Sequence, residues 1–130
     1  MERRMQTALF IGLGGFVGSV LRYGAGELIK RAADAAAFPW HTLAINLAGC
    51  LLLGLLNGLF EKHGASLHPD LRAALTVGLC GGFTTFSTFA GENIALLRNG
   101  ALPPAFLYMA ASLMGGLLLF FLAFRLTRGI

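Results

Sequence analysis

Charge is what this sequence has least of. Asp, Glu, Lys and Arg together make up 12% of its 130 residues, where a soluble domain carries about 25%. Too little charge remains to cover a water-soluble globule, so lipid is the expected solvent for most of the chain. Cysteine is also scarce. Cys50 and Cys80 lie in apolar segments, form no CxxC and have no histidine at metal-ligand spacing, which argues against a disulfide or metal site and for small buried hydrophobes. Acidic residues number 6 against 10 basic ones, but no basic patch with interleaved aromatics appears, so no nucleic acid partner is expected. The basic residues flank apolar runs, where they would meet headgroups. No nucleophile–base pair or metal cluster is visible, which disfavours enzymatic activity. His41, His63 and His68 fall in or beside connections and carry no role at this stage.

What the chain does have is apolar length. Hydrophobic residues make up 56% and mean hydropathy is +0.73. A helix needs about 20 mostly apolar residues to cross the hydrocarbon core. Candidate spans fall at about residues 7–28, 40–60, 71–97 and 105–126, giving an all-α integral membrane fold in which residues 1–130 form one four-helix transmembrane domain. Pro39, Pro69 and the Pro103–Pro104 pair stand at the boundaries, as the missing backbone donor predicts. Arg3 and Arg4 precede a run long enough to be a retained first helix rather than a cleaved leader. Trp40 is expected at an interface.

With four spans, both ends of the chain share one side. That side carries Arg3, Arg4, Lys62, Arg72, Arg125 and Arg128; the other carries Arg22, Lys30, Arg31 and Arg98. So weak a bias is compatible with insertion both ways round and an antiparallel homodimer, and equally with a single orientation. Glycine is abundant, at 18 residues. The pairs Gly14/Gly18 and Gly54/Gly58 let helix backbones approach closely, either between subunits or within one.

Polar residues deep in spans need partners or a water-filled cavity. Asn46 and Asn57 share a face of the second span with Cys50 and Gly54 between them, and Tyr108 and Ser112 lie one turn apart on the fourth. The third span contains Gly81-Gly82-Phe83-Thr84-Thr85-Phe86-Ser87-Thr88-Phe89. Adjacent glycines followed by β-branched threonines weaken a helix. An unwound segment there would free carbonyls for a cation, or N–H groups and hydroxyls for an anion; an unbroken helix remains the alternative. Phe86 and Phe89, three apart, share a face. Their ring edges are electropositive and suit a small anion, although lipid contact is the commoner use of phenylalanine. Arg22, Glu27 and Glu92 are the charged residues near the spans: Arg22 could snorkel to the interface or attract anions to a pore mouth, and Glu92 could line a vestibule or cap the packing through an ion pair.

Taken together, these stretches resemble the CrcB/Fluc family of fluoride channels over essentially the whole chain. The resemblance rests on Gly14-Gly15-Phe16-Val17-Gly18-Ser19-Val20-Leu21-Arg22-Tyr23, on Pro39-Trp40-His41-Thr42-Leu43-Ala44-Ile45-Asn46, on Gly81 through Phe89, and on the Tyr108/Ser112 pair. It implies an antiparallel dual-topology homodimer in a bacterial inner (plasma) membrane, with a broken third helix and two pores passing fluoride outward. Asn46, Phe86, Ser87, Thr88, Phe89, Tyr108 and Ser112 match the family's pore lining, with Arg22 and Glu92 in a vestibule. A structural sodium ion would be held at the dimer centre by the Gly81 and Thr84 carbonyls. Gly116 departs from the pattern, standing where a hydroxyl often continues the polar track. The competing reading is a proton-coupled exporter of small multidrug-resistance type, which needs a titratable carboxylate in mid-membrane. The first span has no acid between Thr7 and Gly26, which weakens it.

Overall fold

The computed structural model describes residues 2–33, 38–63 and 67–129. Among these the fold is entirely helical, and four helices are long and apolar enough to cross a membrane: Glu2–Ala32, Trp40–His63, Pro69–Arg98 and Leu102–Arg128. The first (α1), second (α2) and last (α6) are continuous. The third contains α3 (Pro69–Ala73), a π-helical segment (Ala74–Cys80), α4 (Gly81–Phe83) and α5 (Phe86–Arg98). The chain is a multi-pass membrane protein.

The helices outrun their apolar windows because an apolar window marks only what lies in hydrocarbon, while the hydrogen-bonded ladder continues beyond it. Helix α1 has 31 residues, about 46 Å at about 1.5 Å per residue, against a hydrocarbon core about 30 Å thick. Pro39 stands directly ahead of α2, whereas the other prolines sit inside first turns. Pro69 opens α3 behind His68, whose Nδ1 accepts the Asp70 N–H, and Pro103 and Pro104 lie in the first turn of α6. First-turn N–H groups have no intrahelical partner, so proline loses nothing there.

Backbone contact governs the packing. The most extensive pair is α2 with α6, followed by α1 against the π-helical segment and α4. A Cβ added at Gly54 would lie 2.4 Å from the Phe120 carbonyl oxygen, and one at Gly58 2.6 Å from that of Phe124. On α1, a Cβ at Gly14 would meet the Ala74 oxygen at 2.2 Å, and one at Gly18 the Leu79 oxygen at 2.2 Å. All four glycines predicted to pack closely are therefore filled by helices of the same chain. Gly78 and Gly82 return the contact from the third span, against Ile11 and Gly15.

Little is left for a side-chain core. Tyr108 is the only large side chain fully buried among the described residues, while Leu13, Phe16, Phe106, Met114 and Leu126 are all more than 60% exposed. In a bilayer these outward chains meet lipid or another apolar surface. The turn from α5 to α6 is short. Gly100 takes φ +74° there, a value that glycine adopts without steric cost.

Gly18→Ala should lower the stability of the purified protein by about 1–3 kcal/mol, because the new methyl group must displace a backbone carbonyl. Gly12→Ala, with nothing within 4 Å of the added carbon, should leave it unchanged or raise it by about 0.5–1 kcal/mol. Thermal melts in detergent distinguish the two, and equal melting temperatures would contradict this account of the α1 contact.

Candidate functional site

The interruption of the third span sets the geometry of the site. Thr84 (φ −87°, ψ 161°) and Thr85 (φ −151°, ψ 115°) are extended, so the turn between α4 and α5 cannot close its own hydrogen bonds. The Thr85 N–H and the carbonyls of Thr84 and Thr85 find partners on other helices. The Thr85 N–H donates to Asn46 Oδ1 at 2.8 Å, and Asn46 Nδ2 donates back to the Thr85 carbonyl at 3.1 Å. A primary amide is the side chain that offers a donor and an acceptor side by side. Arg22, reaching from α1, donates Nη1 to the Thr84 carbonyl at 3.2 Å. The Thr84 N–H and hydroxyl both donate to the Cys80 carbonyl, at 3.0 and 2.9 Å.

Helix α5 then restarts under a threonine cap. Thr85 Oγ1 accepts the Thr88 N–H at 3.3 Å, satisfying one of the open donors of a first turn. The same hydroxyl donates to Thr88 Oγ1 at 3.0 Å and lies 3.5 Å from Ser87 Oγ. Three hydroxyls thus gather at the N-terminal, electropositive end of a 13-residue helix.

A groove of about 390 Å³ opens beside the interruption. It brings together Asn46, Gly81, Thr84, Phe86, Phe89 and Ser112, six of the residues singled out from sequence. The Ser112 hydroxyl is buried with no hydrogen-bond partner. Gly49 leaves room for Thr84, whose Cγ2 would lie 2.1 Å from an added Cβ. The Phe86 ring is 80% exposed and lies 5.7 Å, centroid to centroid, from Phe89. Phe89 meets Tyr108 at 4.9 Å with planes at 66°, and Tyr108 meets Phe38 at 5.5 Å and 69°. These last two contacts have the edge-to-face geometry favoured by the ring quadrupole.

The aromatic row ends at a carboxylate. Glu92 Oε1 accepts from the Thr42 hydroxyl at 2.8 Å, and Oε2 from the Tyr108 hydroxyl at 2.7 Å. His41 Nε2 lies 3.3 Å from Oε1. One side chain of α5 is thereby tied to both α2 and α6.

The sequence-selected residues thus divide into groups. Asn46, Gly81, Thr84, Phe86, Phe89 and Ser112 share the groove. Ser87 and Thr88 belong to the exposed hydroxyl group around Thr85, Tyr108 joins Phe89 to Glu92, and Arg22 sits on the Thr84 carbonyl. Sequence reasoning missed Thr85, Thr42, His41 and Phe38. Thr42 stands four residues before Asn46 and so on the same helical face, a signal that could have found it. Nothing in the sequence marks Phe38.

Four apolar helices and an interruption carrying hydroxyls and aromatics define a helical membrane protein with a mostly apolar groove, set with a few polar groups, beside that interruption. Comparison with known proteins narrows this. Residues 9–124 match the family described as CrcB-like protein, Camphor Resistance (CrcB), and the chain belongs to that family. It is 46% identical to the fluoride-specific ion channel FluC of Flavobacterium psychrophilum, over 88% of this chain and 90% of the relative. The channels of the same name from Thermus thermophilus (46% identity; 94% and 95% covered) and Novosphingobium aromaticivorans (42%; 97% and 99%) match over similar lengths.

Asn46→Leu removes both bonds to Thr85 and leaves a half-buried donor and acceptor without protein partners, each costing at most about 1–3 kcal/mol. A clearly lower melting temperature than the wild type is expected in detergent. No change would mean that the amide does not hold the interruption.

Proposed function

We propose that this protein is a fluoride channel, passive and selective, which lets the anion leave the cell. The observation that carries the reading is the groove at the Thr84–Thr85 interruption, together with relatives at 40–47% identity named as fluoride-specific ion channels. Fluoride holds water tightly, and a selective path has to replace that shell. Hydroxyls, an unpartnered Ser112, the N-terminal end of α5 and aromatic edges are donors or electropositive groups of the required kind. A negative-inside potential drives an anion outward, by about 2.3 kcal/mol per charge per 100 mV. No covalent step is involved. Those relatives are named as channels rather than proton-coupled exporters, so the exporter reading is not favoured.

The groove and the exposed apolar faces of a single chain also suit a second copy of the same chain, inserted the opposite way. In that dimer the Gly81 and Thr84 carbonyls are proposed to hold a sodium ion. Their chemistry fits a hard cation. The Gly81 carbonyl lacks the donor an unbroken helix would supply, because the Thr85 N–H is given to Asn46, and Gly81 itself is exposed. The Thr84 carbonyl already accepts from Arg22 but has a second lone pair. When bound, sodium supplies positive charge that offsets converging carbonyl dipoles.

Reconstituted in liposomes, the protein should release fluoride and retain chloride, read with ion-selective electrodes. Equal efflux of the two anions would sink the channel's selectivity. Phe86→Ile should reduce fluoride efflux at least severalfold without changing the elution volume of the assembly, and unaltered efflux would remove that ring from the path. Replacing sodium by a large organic cation should lower the melting temperature; an identical melt in both salts would dismiss the cation site.

A further inference from the structure

Glu92 poses a problem for the proposed path. An ionised carboxylate ending the row of Phe86, Phe89 and Tyr108 repels an anion moving along it, and the hydroxyls of Thr42 and Tyr108 provide hydrogen bonds but no compensating charge. His41 is the titratable partner within reach, with Nε2 3.3 Å from Glu92 Oε1. The two side chains are withdrawn from solvent to the same extent, 21% and 22% exposed, so their interaction is screened less than an exposed pair would be. The other imidazole nitrogen, Nδ1, is buried and has no hydrogen-bond partner. Once Nε2 donates to the carboxylate, that atom is an idle acceptor in the neutral ring and an unfilled N–H donor in the protonated one.

We propose that His41 is a positioning residue for anion passage: its protonation offsets the Glu92 charge, so that flux rises as the medium becomes more acidic. The inference rests on the fluoride-channel reading. Glu92 faces the His41 ring from α5, and Tyr108 from α6 lies across that carboxylate. Helix α1 packs on α2 where Gly26 approaches Ile45, and the charged residues next to that contact, Glu27 and Lys30, pair with each other at 3.3 Å.

The test is fluoride efflux from liposomes carrying the full-length protein, at steps between about pH 6 and 8, with the leak of protein-free vesicles subtracted at each pH. Wild-type efflux should rise at least threefold toward the acidic end. His41→Gln, which keeps a donor but cannot take up charge, should show a flat profile near the wild type's alkaline value. His41→Lys, charged throughout, should be flat at or above the acidic value, which also provides a second variant should the first assemble poorly. A flat wild-type profile, or a slope preserved in His41→Gln, overturns the inference while leaving the channel intact. A wild type passing no fluoride at any pH overturns the channel reading itself.

Discussion

Inside a bilayer no water is available to a backbone N–H or C=O that has left its helix, and this protein lets its third span leave helical geometry at Thr84 and Thr85. The surroundings of that step follow from it. Helix α2 must deliver Asn46 to Thr85, and it comes close enough because Gly49, three residues on, admits the Thr84 methyl group. Helix α1 must deliver Arg22 to the Thr84 carbonyl, and Gly18, one turn earlier, lets its backbone touch Leu79. Both helices therefore use a glycine paired, about one turn away, with a hydrogen-bonding side chain.

The second polar assembly ties the remaining helices. Glu92 receives Thr42 from α2 and Tyr108 from α6, so α5 is fixed on both sides by one carboxylate. Tyr108 then has two jobs. Its hydroxyl binds that carboxylate, while its ring lies between Phe38 and Phe89. Hydrogen bonds inside a low-dielectric region hold geometry well only when every member is matched. Three buried side-chain atoms are unmatched among the described residues: His41 Nδ1, on the residue that faces the carboxylate, Ser112 Oγ, on a residue lining the groove, and Asn93 Oδ1, on the residue after Glu92.

Much of this was legible in the sequence. Four apolar runs and boundary prolines give the helices, because hydrocarbon thickness and backbone hydrogen bonding leave few alternatives. The Gly-Gly-Phe-Thr-Thr stretch drew attention to the right turn through local propensity alone. What stayed hidden depends on approach in space. Asn46 is 39 residues from the backbone it clamps, and Thr42 is 50 from Glu92; no periodicity links such pairs. The glycine pairs were ambiguous for the same reason, since small residues permit close contact without naming the neighbour. His41 was passed over because a histidine at a span's edge looks like any polar flank until the carboxylate opposite it is seen.

The aromatic row has one more member. Trp40 lies 4.5 Å from Phe38, centroid to centroid, with the ring planes tilted at 47°, and Phe38 in turn touches Tyr108. It is the sole tryptophan of the chain, and its ring stands where α2 begins, next to His41. The tryptophan fluorescence of the protein therefore comes from a single emitter beside the Glu92 network. A spectroscopist can follow that corner of the molecule without attaching a dye.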